Sequence, residues 1–519
     1  MTGRHVASSA SPAATAAAIE LLEQGAPAFV AAAAALAVLF VELPMSCGIG
    51  GDLAIVGVEG STQQPFGFCG LGQTPQAVSA GYFLSRGMGS IPKRGILSAT
   101  VPAALPTLER FLAKHGRTAS ERIFEPAIRR AEAMTIDARF TKWTRNNIET
   151  VRSNADLSAL YLADDGPLPP GTVLTQSALA ATLTKISSDP GYSRSEDLVG
   201  SLAKTSARFD GAMTAEDFRA VDVDTSLCRL RCAGHEIYTT PLPTQGHVLL
   251  RSLDVYSRVA PPARPDEAHR IHLLSEVFNQ AYQERLEMGG DPSFVARTER
   301  LFDPRGAAEM AGKVNREFRS DCPYSNWYNP GDTTQLVVAD SYGNAVTMIA
   351  SLSLGFGSGV IDPETGVIFN NRLGRSATLR ADHANRVEPG KRPVNTIQAF
   401  LARDTHDGLL LGGTPGGDGQ VQWNADLLSK VLLHGVPMEE AIAEPRFTHF
   451  PGAEQVEVDG PELLQIEHGS ASIEAELSRR GHKVRRKARV QGCLRVAARR
   501  GNKWLVADDG HEEGATVAV

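Results

Sequence analysis

Few stretches of this sequence carry reactive residue types at a diagnostic spacing. Gly48-Ile49-Gly50-Gly51-Asp52 has the glycines of a phosphate loop. It lacks the GxxxxGK[ST] and GxGxxG spacings, so it reads as a tight turn into a core strand. There is no HExxH pair and no GxSxG elbow. SxxK occurs at Ser90–Lys93 and Ser201–Lys204, but no SDN or KTG segment accompanies it. Cys228 and Cys232 are four apart, with no second Cys or His pair at metal spacing, so neither a metal nor a cofactor is expected. The 13 histidines leave an Asp/His/Ser triad open without locating one.

The elements that must position any site are clearer. Pro12 to Glu23 reads as a helix with Ser11 as N-cap and Pro12 at its first position. Ala28–Val41 is apolar over 14 residues, short of the roughly 18 a membrane span needs, and reads as a buried helix. Leu53–Val58 is an apolar run without alternation, as in a strand covered on both faces. Helical periodicity marks 105–135, 175–190, Val248–Tyr256 and about Asp266–Met288, the last ending at Gly289-Gly290. From 333 onward the pattern changes to short strands and glycine turns. Gln335–Ala339 and Ala345–Ala350 flank a hairpin turn, and Val367–Asn370, Leu409–Leu411 and Val456–Val458 continue the strands. Helices return at about Ala425–His434 and Ile473–Arg480. Segregated helices and hairpins favour an α+β fold.

Composition bounds the partners. With Lys+Arg 52 against Asp+Glu 59 the net charge is −7, which recommends no nucleic acid. Six cysteines in 519 residues are no disulfide framework. Residues 1–20 include Arg4, His5 and Glu20 and no apolar signal core, so a cytoplasmic protein with no membrane partner is expected.

Longer segments in order say more. Thr333-Thr334-Gln335 leads through Val337–Asp340 to Gly343–Val346. Phe356-Gly357-Ser358-Gly359, Thr365–Asn371, Pro389–Pro393, Gly413-Thr414-Pro415-Gly416-Gly417 and Glu444-Pro445-Arg446 follow. Upstream lie Gly48–Gly51, Val101-Pro102, Glu125–Ile128, Met213–Asp217 and Asp291-Pro292. In that order and spacing the chain resembles the γ-glutamyltransferase family over nearly its whole length. The resemblance implies an N-terminal nucleophile hydrolase, a four-layer αββα sandwich of two sheets between helices. It implies self-cleavage between Asp332 and Thr333, giving a large subunit 1–332 and a small subunit 333–519. These would form one compact heterodimer, with further dimerisation left open.

A threonine at a new N-terminus makes chemical sense. Its hydroxyl is a weak nucleophile, and the freed α-amine, with a reference pKa of about 7.7–8.0, is a base on the same residue. By the same resemblance Gly416 and Gly417 supply the oxyanion hole, Ser351 stands for a threonine that supports the nucleophile, and Thr334 is the second threonine of a pair. Maturation on this reading needs only backbone and Thr333.

Departures from the family concern the acyl pocket. The arginine that holds a γ-glutamyl α-carboxylate is replaced by Leu71, and the aspartate that holds its ammonium by Arg375, with Arg372 at a glutamine. Ser353 replaces an asparagine, and Asn395-Thr396 a Ser-Ser pair. An ammonium beside a guanidinium is repelled by several kcal/mol where the dielectric is low. The chain is therefore expected to hydrolyse an amide or carbon–carbon acyl bond of a small molecule bearing a carboxylate, of oxalyl or short dicarboxylic type, in an antibiotic or other natural-product pathway. A γ-glutamyl hydrolase or transferase acting on glutathione-like substrates is the alternative. A processed but inactive scaffold is a third reading, prompted by Gln335 where the family has histidine.

Overall fold

The computed structural model describes the chain except residues 117–119, 165, 262, 322–331, 406–407, 450–462 and 469, and except the side chains of 120 and 121. Two antiparallel sheets face each other. One has six strands in the order Ala515–Ala518, Val6–Ser9, Asp332–Ala339, Ala345–Ser353, Asp52–Val58 and Pro65–Gly70. The other has seven, ordered Thr2–Gly3, Lys503–Asp508, Arg495–Arg500, Leu409–Gly413, Ala399–Arg403, His235–Thr239 and Cys228–Cys232. Val56, Val337, Ile349, Leu401 and Leu411 fill the space between them.

Helices cover both outer faces. Ala28–Glu42 is buried at every residue because it lies under the six-stranded sheet with Pro12–Glu23 and Ser120–Glu132 packed on its other side. Its membrane-like apolarity is thus that of a central helix. Gly246–Val259, Glu267–Met288 and Gly419–Leu428 cover the seven-stranded sheet. This is the four-layer αββα sandwich.

Most expected elements are present at nearly the expected bounds. Region 105–135 is two helices, Ala104–His115 capped by Gly116, and Ser120–Glu132. The helix expected at 425 begins at Gly419 and passes into a π-helical turn at Ser429–Leu433. Val367–Asn370 is not a strand. The turn Asp362–Gly366 closes on itself through Gly366 N–H to Asp362 O, 2.8 Å, leaving one isolated bridge, Ile361 to Ile368. Val456–Val458 lies outside the described residues. No helix among the described residues is long and apolar enough to cross a membrane.

Candidate active site

Thr333 lies in the second position of its strand, 7% exposed, at the floor of a cavity of about 400 Å³. The pairing with the next strand is irregular there. Asp332 opposes Ser353 and Thr334 opposes Ala350, so Ser351 and Leu352 together face Thr333. This bulge brings the side chains of Thr333 and Ser351 together. Thr333 Oγ1 donates to Ser351 Oγ at 3.2 Å, and Ser351 Oγ donates to the Asp332 carbonyl at 2.7 Å. The Ser353 N–H completes the relay by donating to Ser351 Oγ at 2.9 Å. A hydroxyl therefore sits on the carbonyl of the Asp332–Thr333 peptide bond.

Gly416 lines the same cavity, and Gly417 follows it at the entry to helix Gly419–Leu428. Both have positive φ, +118° and +57°. A Cβ on Gly416 would lie 2.3 Å from the Trp423 ring, so only glycine lets the backbone turn its amides here. Trp143, Arg139, Lys142, His511 and Glu512 form other parts of the cavity wall. His511 bridges Glu467 at 2.7 Å and Asp509 at 3.1 Å; these carboxylates outweigh burial and hold it up at about 9. Glu512 is raised above the usual carboxylate range by burial.

The arginines occupy a separate, buried polar region. Arg372 is 1% exposed, and its Nε reaches Asp52 at 3.4 Å. Asp52 also accepts from Asn395 Nδ2 at 2.7 Å and from the Gly72 N–H at 2.7 Å. Burial raises Asp52 and lowers Arg372, each against the pull of the other. Both Nη atoms of Arg372 are buried with no hydrogen-bond partner among the described residues, as are Ser353 Oγ, Thr396 Oγ1 and Thr334 Oγ1. Arg375 Nη1 donates to Ser353 O at 3.0 Å. Burial first, then Arg372, pulls Arg375 down to about 9. Neither arginine is a surface ion pair.

Asp332 connects the two regions. It lines the cavity, accepts the Gly355 N–H on its carboxylate, and lies within electrostatic reach of Arg375 and Arg94. Burial nonetheless lifts it to about 7.

Two sequence expectations need amendment. Leu71 does not line the pocket; it packs in the core between the sheets, 2% exposed, because its strand end turns inward beside Cys69. Arg372 is not an unencumbered cation, since Asp52 neutralises one edge of it. Asp52 itself was missed as a site residue. Its position after a glycine turn marks only a strand start, and its partners Asn395 and Arg372 are more than 300 residues away. Asp418 was also missed; it pairs with Arg285 at 2.7 Å and leaves Oδ2 buried without a partner. Gln335 is structural, donating from Nε2 to Thr347 Oγ1 at 2.8 Å. Among the described residues no group of three or more His, Cys, Asp or Glu could hold a metal, and the five described cysteines are free thiols.

The gamma-glutamyltranspeptidase family model matches residues 14–519. A glutathione hydrolase-like proenzyme of Bacillus subtilis, YwrD, is 29% identical over 436 residues, 82% of this chain and 81% of the relative. The oxamate amidohydrolase proenzyme of Klebsiella pneumoniae is 29% identical over 443 residues, covering 83% and 82%. In fold, the cephalosporin acylase of Bacillus halodurans superposes with a TM-score of 0.89 at 22% identity, over 100% of this chain and 96% of that one.

Proposed function

The chain belongs to the gamma-glutamyltranspeptidase family, and from that premise we propose that it is a self-processing threonine hydrolase for a short acyl group carrying its own carboxylate. In the first step Thr333 Oγ1 attacks the Asp332 carbonyl carbon. The Oγ1–C bond forms, the C–N bond to Thr333 breaks, and the hydroxyl proton ends on the released nitrogen. Ser351, already donating to that carbonyl at 2.7 Å, stabilises its developing oxyanion. Water then hydrolyses the ester, giving an Asp332 carboxylate and a free Thr333 hydroxyl.

The freed α-amine becomes the base for later turnovers. The same oxygen attacks the substrate acyl carbon, with the amides of Gly416 and Gly417 on the oxyanion, and water regenerates the enzyme. Residues 1–332 and 333–519 stay together on this reading, because Asp332–Ala339 pairs with Val6–Ser9 and Ala345–Ser353 with Asp52–Val58.

The substrate class rests on one observation: two buried, unpartnered Nη donors on Arg372 beside Arg375. A guanidinium edge turned to a dry interior is completed by a carboxylate. Ser353 and Thr396 add hydroxyls with no other partner. A relative named for oxamate, the amide of a two-carbon acid, fits that class. The setting we assign, a natural-product pathway inside the cell, rests on family analogy alone. A γ-glutamyl substrate is the second reading, favoured by Asp418 Oδ2, a buried carboxylate oxygen that an ammonium would satisfy. Matched anilides of oxalate, succinate, glutarate and γ-glutamate separate the two. Turnover of the acids with poor γ-glutamyl cleavage is expected; the reverse order refutes the proposal.

A further inference from the structure

We infer that Asp332 is a built-in first substrate: in the uncut chain its side chain occupies the anion site that Arg375 and Arg94 frame, and the enzyme's preferred acyl group is of its four-carbon, succinyl type. The inference rests on the carboxylate-acyl reading above and narrows it.

The loop after the Ser351 strand builds the frame. Ser353 has φ +86°, and its carbonyl accepts from Arg375 Nη1 at 3.0 Å. Two residues on, the Gly355 carbonyl accepts from Arg94 Nη1 at 2.7 Å, and Arg94 also reaches the Gly357 carbonyl. The two guanidiniums are thus fixed to one short loop. From between them the Gly355 N–H points at the Asp332 carboxylate. Asp332 opposes Ser353 in the ladder, so backbone pairing aims this side chain at the loop.

Asp332 also lines the open cavity that Thr333 shares, whereas Arg372 and Arg375 do not. The side chain therefore stands between solvent and the arginines. Measured from the scissile carbonyl carbon, the chain runs Cα, Cβ, carboxylate. The ester formed on Thr333 Oγ1 during self-cleavage is then an N-substituted succinyl ester with its carboxylate already at the arginines. A substrate acyl group of the same length presents its carbonyl to the same oxygen and its carboxylate to the same site. An oxalyl group is two carbons too short to do both.

Occupancy by Asp332 is not comfortable, since burial lifts its carboxyl to about 7 despite both arginines. Breaking the peptide bond frees this end of the large subunit to withdraw. Cleavage would then create the nucleophile's amine and open the anion site in one event.

The test uses Thr333→Ala, which cannot cut itself, alone and combined with Asp332→Ala, with succinate as the probe and titration calorimetry as the readout. Succinate should bind the double variant at least tenfold more tightly than Thr333→Ala. It should also bind the mature wild type, more tightly than oxalate does. Equal affinity in the single and double variants overturns the inference, while succinate binding to the mature enzyme would leave the carboxylate reading standing. No succinate or oxalate binding by the mature enzyme refutes that reading as well. In case the double variant misfolds, Asp332→Asn with Thr333 intact keeps the side-chain shape and removes the charge. Its self-cleavage should slow at least tenfold with an unchanged melting temperature, and cleavage at the wild-type rate overturns the inference.

Discussion

Replacing Ser351 by alanine tests the chemistry at its most exposed point. Ser351 Oγ donates to the scissile Asp332 carbonyl at 2.7 Å, and no other donor to that oxygen is seen among the described residues. Charge develops on this oxygen when Thr333 attacks, and losing one such donor costs about 2.7–4 kcal/mol, or roughly 10²–10³ in rate. After cleavage Asp332 has left, and Ser351 only supports Thr333 Oγ1, across 3.2 Å between neutral groups. That contact is worth about 0.5–1.5 kcal/mol, roughly 2- to 13-fold in turnover. Self-cleavage should therefore suffer far more than catalysis by chains that do mature. The substitution also orphans the buried Ser353 N–H, now 2.9 Å from Ser351 Oγ, at about 1–3 kcal/mol of stability. A denaturant midpoint separates that loss from the rate effect. The assay is pulse-labelled synthesis followed by gel quantification of the full-length chain over time. Ser351→Thr retains the hydroxyl and should cut at nearly the wild-type rate. A folded Ser351→Ala chain that cuts within about threefold of wild type would show that the hydroxyl polarises nothing.

Thr333→Ala should remain a single inactive chain on a denaturing gel, and an active, uncut wild type would remove Thr333 from the mechanism. Arg375→Ala should lower kcat/KM for a carboxylate-bearing acyl substrate by roughly 10- to 100-fold, about 1.4–2.7 kcal/mol, and Arg375→Asp should be worse because it adds repulsion; an unchanged kcat/KM would take Arg375 out of the acyl site. Turnover should rise with pH as the Thr333 α-amine loses its proton, around its reference value of about 7.7–8.0, and a flat profile across pH 6–9 would exclude that base. His511 is held up at about 9, so its contribution to stability is complete below its unfolded value of about 6.5 and is lost as pH rises through 9. Urea midpoints should fall across that window in the wild type and much less in His511→Gln; parallel curves would show that His511 carries no such linkage.

Elements with a strong local signal were legible in the sequence. Pro12–Glu23 is delimited by Ser11 and its own proline, and Ser11 Oγ accepts the Ala14 N–H as a cap should. The all-apolar helix at 28 and the strand at 53 announce burial on every side, and both are buried throughout. Val367–Asn370 misled because its β-branched residues are fixed by a turn and by side-chain contacts rather than by a ladder. Asn370 Nδ2 donates to Gly50 O and Thr100 O, each at 3.0 Å. In the site, residues near Thr333 were legible because one hairpin carries them. Asp52, Arg94 and Asp418 were not, because their partners come from distant parts of the chain. A local reading cannot distinguish an arginine facing a ligand from one whose edge a remote aspartate already holds, as Asp52 holds Arg372. The expectation that maturation needs only backbone and Thr333 likewise overlooked the Asp332 side chain, whose surroundings come from residues 94, 355 and 375.

The bulge at Thr333 explains why one peptide bond in a tightly held strand can react. From Val337 to Ala339 the strand is paired on both sides, to Thr347–Ala345 and to Ser8–Val6. A regular ladder extended to Asp332 would give its carbonyl to a backbone N–H that cannot turn. The extra residue in the facing strand replaces that amide with the Ser351 hydroxyl. A hydroxyl both donates and accepts, and it rotates. It can hold the carbonyl before attack and take up the nucleophile's oxygen afterwards without moving the backbone. The rigid strand keeps Thr333 aimed, while the irregularity lets its immediate partner change role. One local defect in an otherwise regular sheet therefore serves both self-cleavage and turnover, and a substitution that restores a regular register at Ser351–Leu352 should disable the two together.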